Sequence, residues 1–311
     1  MKYAFGVDIG GTTVKLGLLD YEGNIDESWE IPTRTENDGE NILPDIASSI
    51  KAKIEEKGLS KESIAGVGAG APGAVDSNGV IYQAVNIGWG RKNLQEELSK
   101  LLELPVKAGN DANVAALGEA WKGGGRGHND MLMVTLGTGV GGGIIIGGKI
   151  VNGVAGSGGE IGHIHIEDNE TKRCGCGNKG CFEQYASATG IVLLASRFLG
   201  STDKDSILRR GQLSSKGIFD AAKAGDELAV EITEKYGYYL GKGLAVCATI
   251  LNPEVIVIGG GVSKCGAIIF DLLKPSFEQF VFEGCRDTEF SLAQLGNDAG
   301  ICGAAKMVID P

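Results

Sequence analysis

Several things are missing from this sequence, and each absence narrows its class. No apolar run approaches the ~20 residues that a membrane span requires. No positively charged stretch leads into an apolar run at the N-terminus, where MKYAFGVDIGG passes straight into a strand pattern. Positive charge is also short: 29 Lys and Arg stand against 40 Asp and Glu, a net −11 that opposes binding to a phosphate backbone and makes nucleic acid a poor partner. Proline is scarce, at seven residues, and no low-complexity segment or long linker interrupts the chain. Histidine occurs only three times, so each one asks for an account.

The length of 311 residues exceeds the ~250–300 at which single cores stop growing, so two domains sharing a cleft are expected. Glycine is the abundant residue. There are 51, clustered at the ends of apolar strands, where backbone N–H groups can approach phosphate oxygens. Cysteine comes to an odd seven. Cys247, Cys265, Cys285 and Cys302 are scattered in apolar context and read as buried thiols, which suits a reducing cytoplasm.

The other three cysteines, Cys174, Cys176 and Cys181, stand in RCGCGNKGCFEQ, eleven residues after His163 in GGEIGHIH. Three thiols and an imidazole make a complete tetrahedral zinc set, and a four-ligand site is closed, hence structural. The alternative is three buried thiols and an unrelated histidine. A metal here would fix Glu160, one turn before His163, and Glu183, two residues after Cys181, which suits a pocket for a polar ligand. His165 reads as structural and His128 as a loop residue.

Tyr3–Asp8, Val14–Leu19 and Ile25–Ile31 read as strands, Asn41–Lys57 as a helix and Ile64–Gly70 as a strand. Asn93 is placed to cap a helix carrying Leu94, Leu98, Leu101 and Leu102. Val106–Ala108 is a short strand leading through AGNDAN into a helix that ends near Trp121. Next, MLMVTLGTGVGGGIIIGGKIV repeats the plan of YAFGVDIGGTTVKLGLLDYEGNI: strand, glycine turn, strand, tight turn, strand. Such duplicated halves, each with a glycine turn, could grip one polyphosphate from both sides. Helices follow over Ser187–Leu199, Ile218–Ala224 and Glu227–Leu251, the last stopped by Asn252-Pro253. Then come a strand at Glu254–Ile258 running into GGGVS, a helix to Phe280, a strand at Phe290–Leu295 and a helix at Ala299–Val308. Alternating strands and helices imply an α/β fold.

In DIGGT, Asp8 can orient a phosphate-bound Mg²⁺ while Gly10, Gly11 and Thr12 present donors; a plain hairpin turn is the alternative. The paired LGTGVGGG and the third turn, GGG at Gly259–Gly261, strengthen the nucleotide-binding reading. Asp111, where a strand meets a helix, reads as a helix N-cap, as a general base, or as both.

DIGGT, AGNDAN, LGTGVGGG, GGEIGH, CGCGNKGCFEQ and VIGGGVS, in this order, resemble the ROK family of sugar kinases and sugar-responsive repressors over essentially the whole chain. The resemblance implies a two-domain actin-like (ribonuclease H-like) ATPase fold with the active site in the interdomain cleft and a structural zinc loop at 163–183. The expected division is a smaller domain of 1–115 plus 297–311 and a larger one of 116–296. Asp8, Gly10, Gly11 and Thr12 match the family's first phosphate motif, Thr138 and Gly139 the second, and Gly260 and Gly261 the turn near the adenosine. Asn86, Asn110, Asp111, Glu160, His163 and Glu183 match sugar contacts, with Asp111 as catalytic base. His163, Cys174, Cys176 and Cys181 match the zinc ligands, so His163 has one nitrogen for the metal and one for a sugar hydroxyl. Arg91-Lys92, near Asn86, occupy a segment often apolar in relatives.

The implied activity is transfer of phosphate from ATP, with Mg²⁺, to a hexose, foremost the 6-hydroxyl of glucose; N-acetylmannosamine, fructose and allose are the alternatives. Repressors of the family carry a helix-turn-helix before the core. Here the first phosphate strand begins at Tyr3, so a kinase is expected rather than a repressor or a non-catalytic sugar-binding protein. The family also implies a homodimer or homotetramer.

Overall fold

A computed structural model describes residues 2–310. The chain forms two compact units. One is built from the residues up to Asn129, from Gly143–Gly159 and from the residues after Ala293; the other from Asp130–Gly142 and Glu160–Ala293.

The first unit opens with an antiparallel meander, β1 (Tyr3–Ile9), β2 (Thr13–Asp20) and β3 (Ile25–Pro32). A short turn, α1 (Glu36–Gly39), holds Asn37 and Asp38 in the left-handed region, and α2 (Ile42–Glu56) follows. Then come β4 (Ile64–Ala71), the two-stranded β5 (Val80–Ile81) and β6 (Lys92–Asn93), α3 (Leu94–Leu102), β7 (Val106–Asn110) and α4 (Asp111–Lys122). The sheet order is β3-β2-β1-β4-β7, with β4 parallel to both β1 and β7.

The pleat sends successive side chains of β1 to opposite faces. Phe5, Val7 and Ile9 join a buried cluster with Ile42, Ile46 and Ile50 of α2 and Leu94 and Leu98 of α3. Ala4 faces the other way, against Cys302 and Ala305. Asn93 caps α3 as expected, its side chain accepting from the Glu96 N–H at 3.0 Å.

The chain continues through β8 (Met131–Leu136), β9 (Val140–Ile146) and β10 (Lys149–Ile150) to α5 (Glu183–Ala186), α6 (Ala188–Ser201), α7 (Ser215–Lys223) and α8 (Glu227–Leu251). It ends with β11 (Val255–Gly259), α9 (Ile268–Phe280), β12 (Glu289–Leu292) and α10 (Ala299–Ile309). The second sheet runs β10-β9-β8-β11-β12, the same order of meander followed by parallel strands as the first. The repeat seen in the sequence is thus a repeat of topology. Asn252 closes α8 in the left-handed conformation, just before Pro253. Among the described residues no helix is long and apolar enough to cross a membrane.

Two expectations need correction. A domain break after residue 115 would cut α4, whose twelve residues stay in the first unit, and the first unit also takes back 143–159. The last strand stops at Leu292 instead of Leu295, because Gln294 and Leu295 turn their N–H groups to a side chain rather than a neighbouring strand. That side chain is Glu119, 1 % exposed, which accepts from Gln294 N at 3.0 Å, Leu295 N at 2.8 Å and Gly124 N at 2.8 Å. A buried carboxylate thus fixes the chain where it re-enters the first unit. Glu119→Ala orphans three backbone donors and is expected to cost roughly 2–4 kcal/mol of stability in urea titration, with Glu119→Gln, which keeps one acceptor, losing less.

Candidate active site

The carboxyl ends of parallel strands are where α/β sheets present their chemistry. At this edge of the first sheet, Asp8 of β1 stands beside Gly70 of β4, and Ala71 beside Asn110 of β7. Asn110, not Asp111, is the N-cap of α4: its side-chain oxygen accepts from Asn113 N at 3.1 Å, while its Nδ2 donates to the Gly73 carbonyl and to Asp111 Oδ1, both at 3.0 Å. Asp111 Oδ1 also accepts from Ala112 N at 2.8 Å. The carboxylate is therefore held in orientation at a helix N-terminus, where the macrodipole favours negative charge.

Burial, then the charge of Asp111, raises the Asp8 carboxyl from 3.8 to about 6; Lys15 opposes the shift. Lys15 is itself paired with Asp298 at 2.7 Å. A carboxyl whose ionisation is opposed by burial and by a neighbouring carboxylate is a sound basis for holding a cation. The turn that follows Asp8 closes through Gly10 N donating to Thr13 O at 3.0 Å. Thr33 buttresses it, donating through Oγ1 to the Gly10 carbonyl at 2.7 Å and through N to the Thr12 carbonyl at 2.9 Å. Thr12 is exposed, and Asn86 lies alongside: a Cβ on Gly11 would stand 3.7 Å from the Asn86 backbone oxygen.

The second unit carries the matching turn at Thr138-Gly139. Gly137 N donates to Gly139 O at 3.0 Å, and the hydroxyl of Thr189, in the first turn of α6, donates to the Thr138 carbonyl. Thr33 and Thr189 thus brace the two glycine turns in the same way. Neither drew notice in the sequence, since a lone threonine far from its turn carries no local signal. The third turn needs its glycine at 260: φ is +85°, and a Cβ would come within 2.6 Å of the Leu136 backbone. Gly261 faces open space.

The ligating atoms of His163, Cys174, Cys176 and Cys181 all lie within 4.8 Å of one another, an arrangement fit to hold a metal ion. His163 Nδ1 is 3.7 Å from Cys174 Sγ, and the sulfurs of Cys176 and Cys181 are 3.6 Å apart. Burial, together with a 2.8 Å hydrogen bond to Glu183 Oε1, pushes the Cys174 thiol up to about 12; burial raises Cys181, whereas the Asn178 N–H lowers Cys176. His163 turns Nδ1 to this cluster and Nε2 outward, 4.0 Å from Glu160 Oε2. Glu183 joins cluster and turn: its Oε1 lies 3.7 Å from His163 Nδ1, and its Oε2 fills the space a Cβ on Gly139 would need, at 2.6 Å. His165 takes no part in the cluster. Its ring bridges Asp168 Oδ1 at 2.8 Å and the Lys179 carbonyl at 2.9 Å, stapling the loop.

Beneath the loop lies Glu170, with its side chain 1 % exposed. Burial pushes its carboxyl up, but hydrogen bonds from the Tyr185 hydroxyl at 2.6 Å and Arg197 at 2.7 Å, with the Lys172 N–H, outweigh burial and hold it at about 2. This network moors the cysteine loop to α5 and α6.

The sequence profile of the ROK family matches residues 4–310. A glucokinase of Halalkalibacterium halodurans is 45 % identical over 315 residues, covering 99 % of this chain and 95 % of that one. A glucokinase of Streptomyces coelicolor is 37 % identical, covering 100 % and 99 %. Among solved structures, a ROK family glucokinase from Streptomyces griseus in complex with glucose and AMPPNP superposes with a TM-score of 0.73 at 36 % identity, covering 98 % of both chains. The α/β fold is therefore the actin-like ATPase fold expected from the motifs, and this chain belongs to the ROK family.

Proposed function

We propose that this chain is an ATP-dependent glucokinase that phosphorylates the 6-hydroxyl of glucose. The carrying observation is the pair of acidic side chains at one sheet edge: Asp111, oriented by Asn110 and Ala112, and Asp8, raised by burial and by Asp111. Similarity to glucokinases over nearly the full chain supports the sugar.

Phosphoryl transfer depends on positioning and charge stabilisation. Mg²⁺ carried by ATP would neutralise the transferring phosphoryl group, with Asp8 as the residue that holds it. Gly10, Gly11, Thr12, Thr138 and Gly139 offer donors to the phosphates, and Gly260 and Gly261 leave room for the adenosine. Asp111 accepts the proton of the attacking hydroxyl. Asn86, Asn110, Glu160, His163 and Glu183 hydrogen-bond the sugar hydroxyls, His163 through the nitrogen that faces Glu160. The cysteine cluster would hold zinc: bonds of about 2.0–2.3 Å in a tetrahedron place donors roughly 3.3–3.8 Å apart, in line with the observed 3.6 and 3.7 Å. The family further supports a homodimer or homotetramer in the cytoplasm.

ADP release with Mg-ATP across glucose, mannose, fructose, N-acetylmannosamine and N-acetylglucosamine tests the substrate. A kcat/KM for glucose at least about tenfold above the others is expected; a clear winner elsewhere would move the assignment to that sugar. For the metal, elemental analysis should find about one zinc per chain, lost in Cys181→Ser together with thermal stability. A metal-free chain melting at the same temperature would refute the structural zinc.

A further inference from the structure

The first unit contains a cavity of about 820 Å³ to which none of the candidate active-site residues contributes. Its volume lies within the ~300–1,000 Å³ range of small-molecule sites. Lys107, Lys149 and Lys306 line it, with the amides of Gln95 and Asn152 and the ring of Trp121. Among the described residues Lys107 and Lys149 make no side-chain hydrogen bond or ion pair, and Lys306 is held by Asp310 at 2.8 Å. Among the described residues Asp310 is the only carboxylate on the wall, so three ammonium groups face one negative charge there in a chain whose net charge is −11. A concentration of cations, with a single carboxylate shared by Lys306 and Lys149, against the sign of the whole molecule is the electrostatic footprint of a site for a small anion.

We propose that this cavity binds a small phosphate monoester, namely a sugar phosphate. Lysine ammonium groups act as point charges for phosphate, and neutral amides hydrogen-bond hydroxyls. A nucleotide fits less well, because a base would need an aromatic face to stack on. One face of Trp121 is taken by Lys306, 5.1 Å from the ring centroid, and its edge packs against Gly23. The site also bears on Asp111. Lys107 lies on β7 three residues before Asn110, and Trp121 is at the far end of α4, the helix that Asp111 begins. An occupant therefore touches both elements that carry the proposed base.

The choice of a sugar phosphate rests on the kinase reading; the anion site itself does not. Calorimetric titration of the full chain with glucose 6-phosphate, with glucose and AMPPNP both saturating, tests it, since any further binding lies outside the active site. Saturable binding is expected, weakened at least about tenfold in the double variant Lys107→Gln/Lys149→Gln, whose exposed side chains leave the fold and the basal kcat unchanged. No binding, or equal binding to both proteins, overturns the site. Inorganic phosphate binding as tightly as glucose 6-phosphate overturns the monoester, and adenosine monophosphate binding more tightly overturns the sugar. Because the readout is binding, a chain inactive on glucose that still passes this test upholds the cavity and removes only the proposed activity.

Discussion

Replacing Asp111 with alanine is expected to lower kcat by roughly 10²–10⁴-fold while the KM for glucose moves little, the signature of a group whose contribution is made in the transition state. Ground-state binding of the hydroxyls falls to the other sugar contacts. Asn110 keeps its cap on α4 through Asn113, so the helix start survives the substitution. Asp111→Asn is the sharper control: it is nearly isosteric and its amide oxygen can still accept from Ala112 N, yet it cannot take the proton. Steady-state kinetics of both variants should agree in kcat. If Asp111→Asn kept near-normal kcat, the proton would have to leave by another route.

The second large effect concerns Asp8 and carries two opposite signs. Its carboxyl titrates at about 6 in the folded chain against an ordinary 3.8. The folded state therefore binds the proton more tightly than the unfolded state. Stability on this account is greatest below about pH 4, falls as pH rises from about 4 to 6, and stays low above that. A shift of about two units corresponds to at most about 3 kcal/mol at neutral pH. Asp8→Asn removes the titration, so the unliganded variant should be about 1–3 kcal/mol more stable than the parent at pH 7–8 and equal to it at pH 4. Activity should fall at least about a hundredfold in the same variant, because no carboxylate remains to hold the cation. Urea titrations at several pH values, beside ADP-release assays, read both. A variant less stable than the parent at pH 8 would show that the carboxylate, as it stands, contributes to the fold.

The contrast between what the residues announced and what they concealed follows the range of the interactions. The metal cluster was legible because its four ligands fall within nineteen positions and its donor types admit few readings. The repeat was legible because glycine turns between apolar strands are local patterns, and both sheets follow them. The cap of α4 was half legible: AGNDAN announces a helix start, but choosing between Asn110 and Asp111 required the positions of the Asn113 and Ala112 N–H groups. Glu119 gave no signal, since two of its partners lie 175 and 176 residues along the chain. Its grip also explains why the last strand was read three residues too long. Glu170 escaped notice for a related reason: a carboxylate in the polar run NETKR reads as surface until Tyr185 and Arg197 close over it.

The last helix holds a further consequence, one of timing. α10 lies so close to β1, β4 and α4 that glycine is required at the contacts: a Cβ on Gly6 would meet the Ile301 carbonyl at 1.9 Å, on Gly68 that of Ala304 at 1.7 Å, and on Gly303 that of Val114 at 1.7 Å. The strand Tyr3–Ile9 is thus sealed by a helix, Ala299–Ile309, from the far end of this sequence. During synthesis the second unit has its whole sequence before the first can close, so the first unit waits with a bare glycine-lined face for Ala299–Ile309. A premature stop ahead of Ala299 would strip the cover from a sheet that has nothing else to place there, and such a chain should go to the proteases rather than survive as a slightly shorter protein.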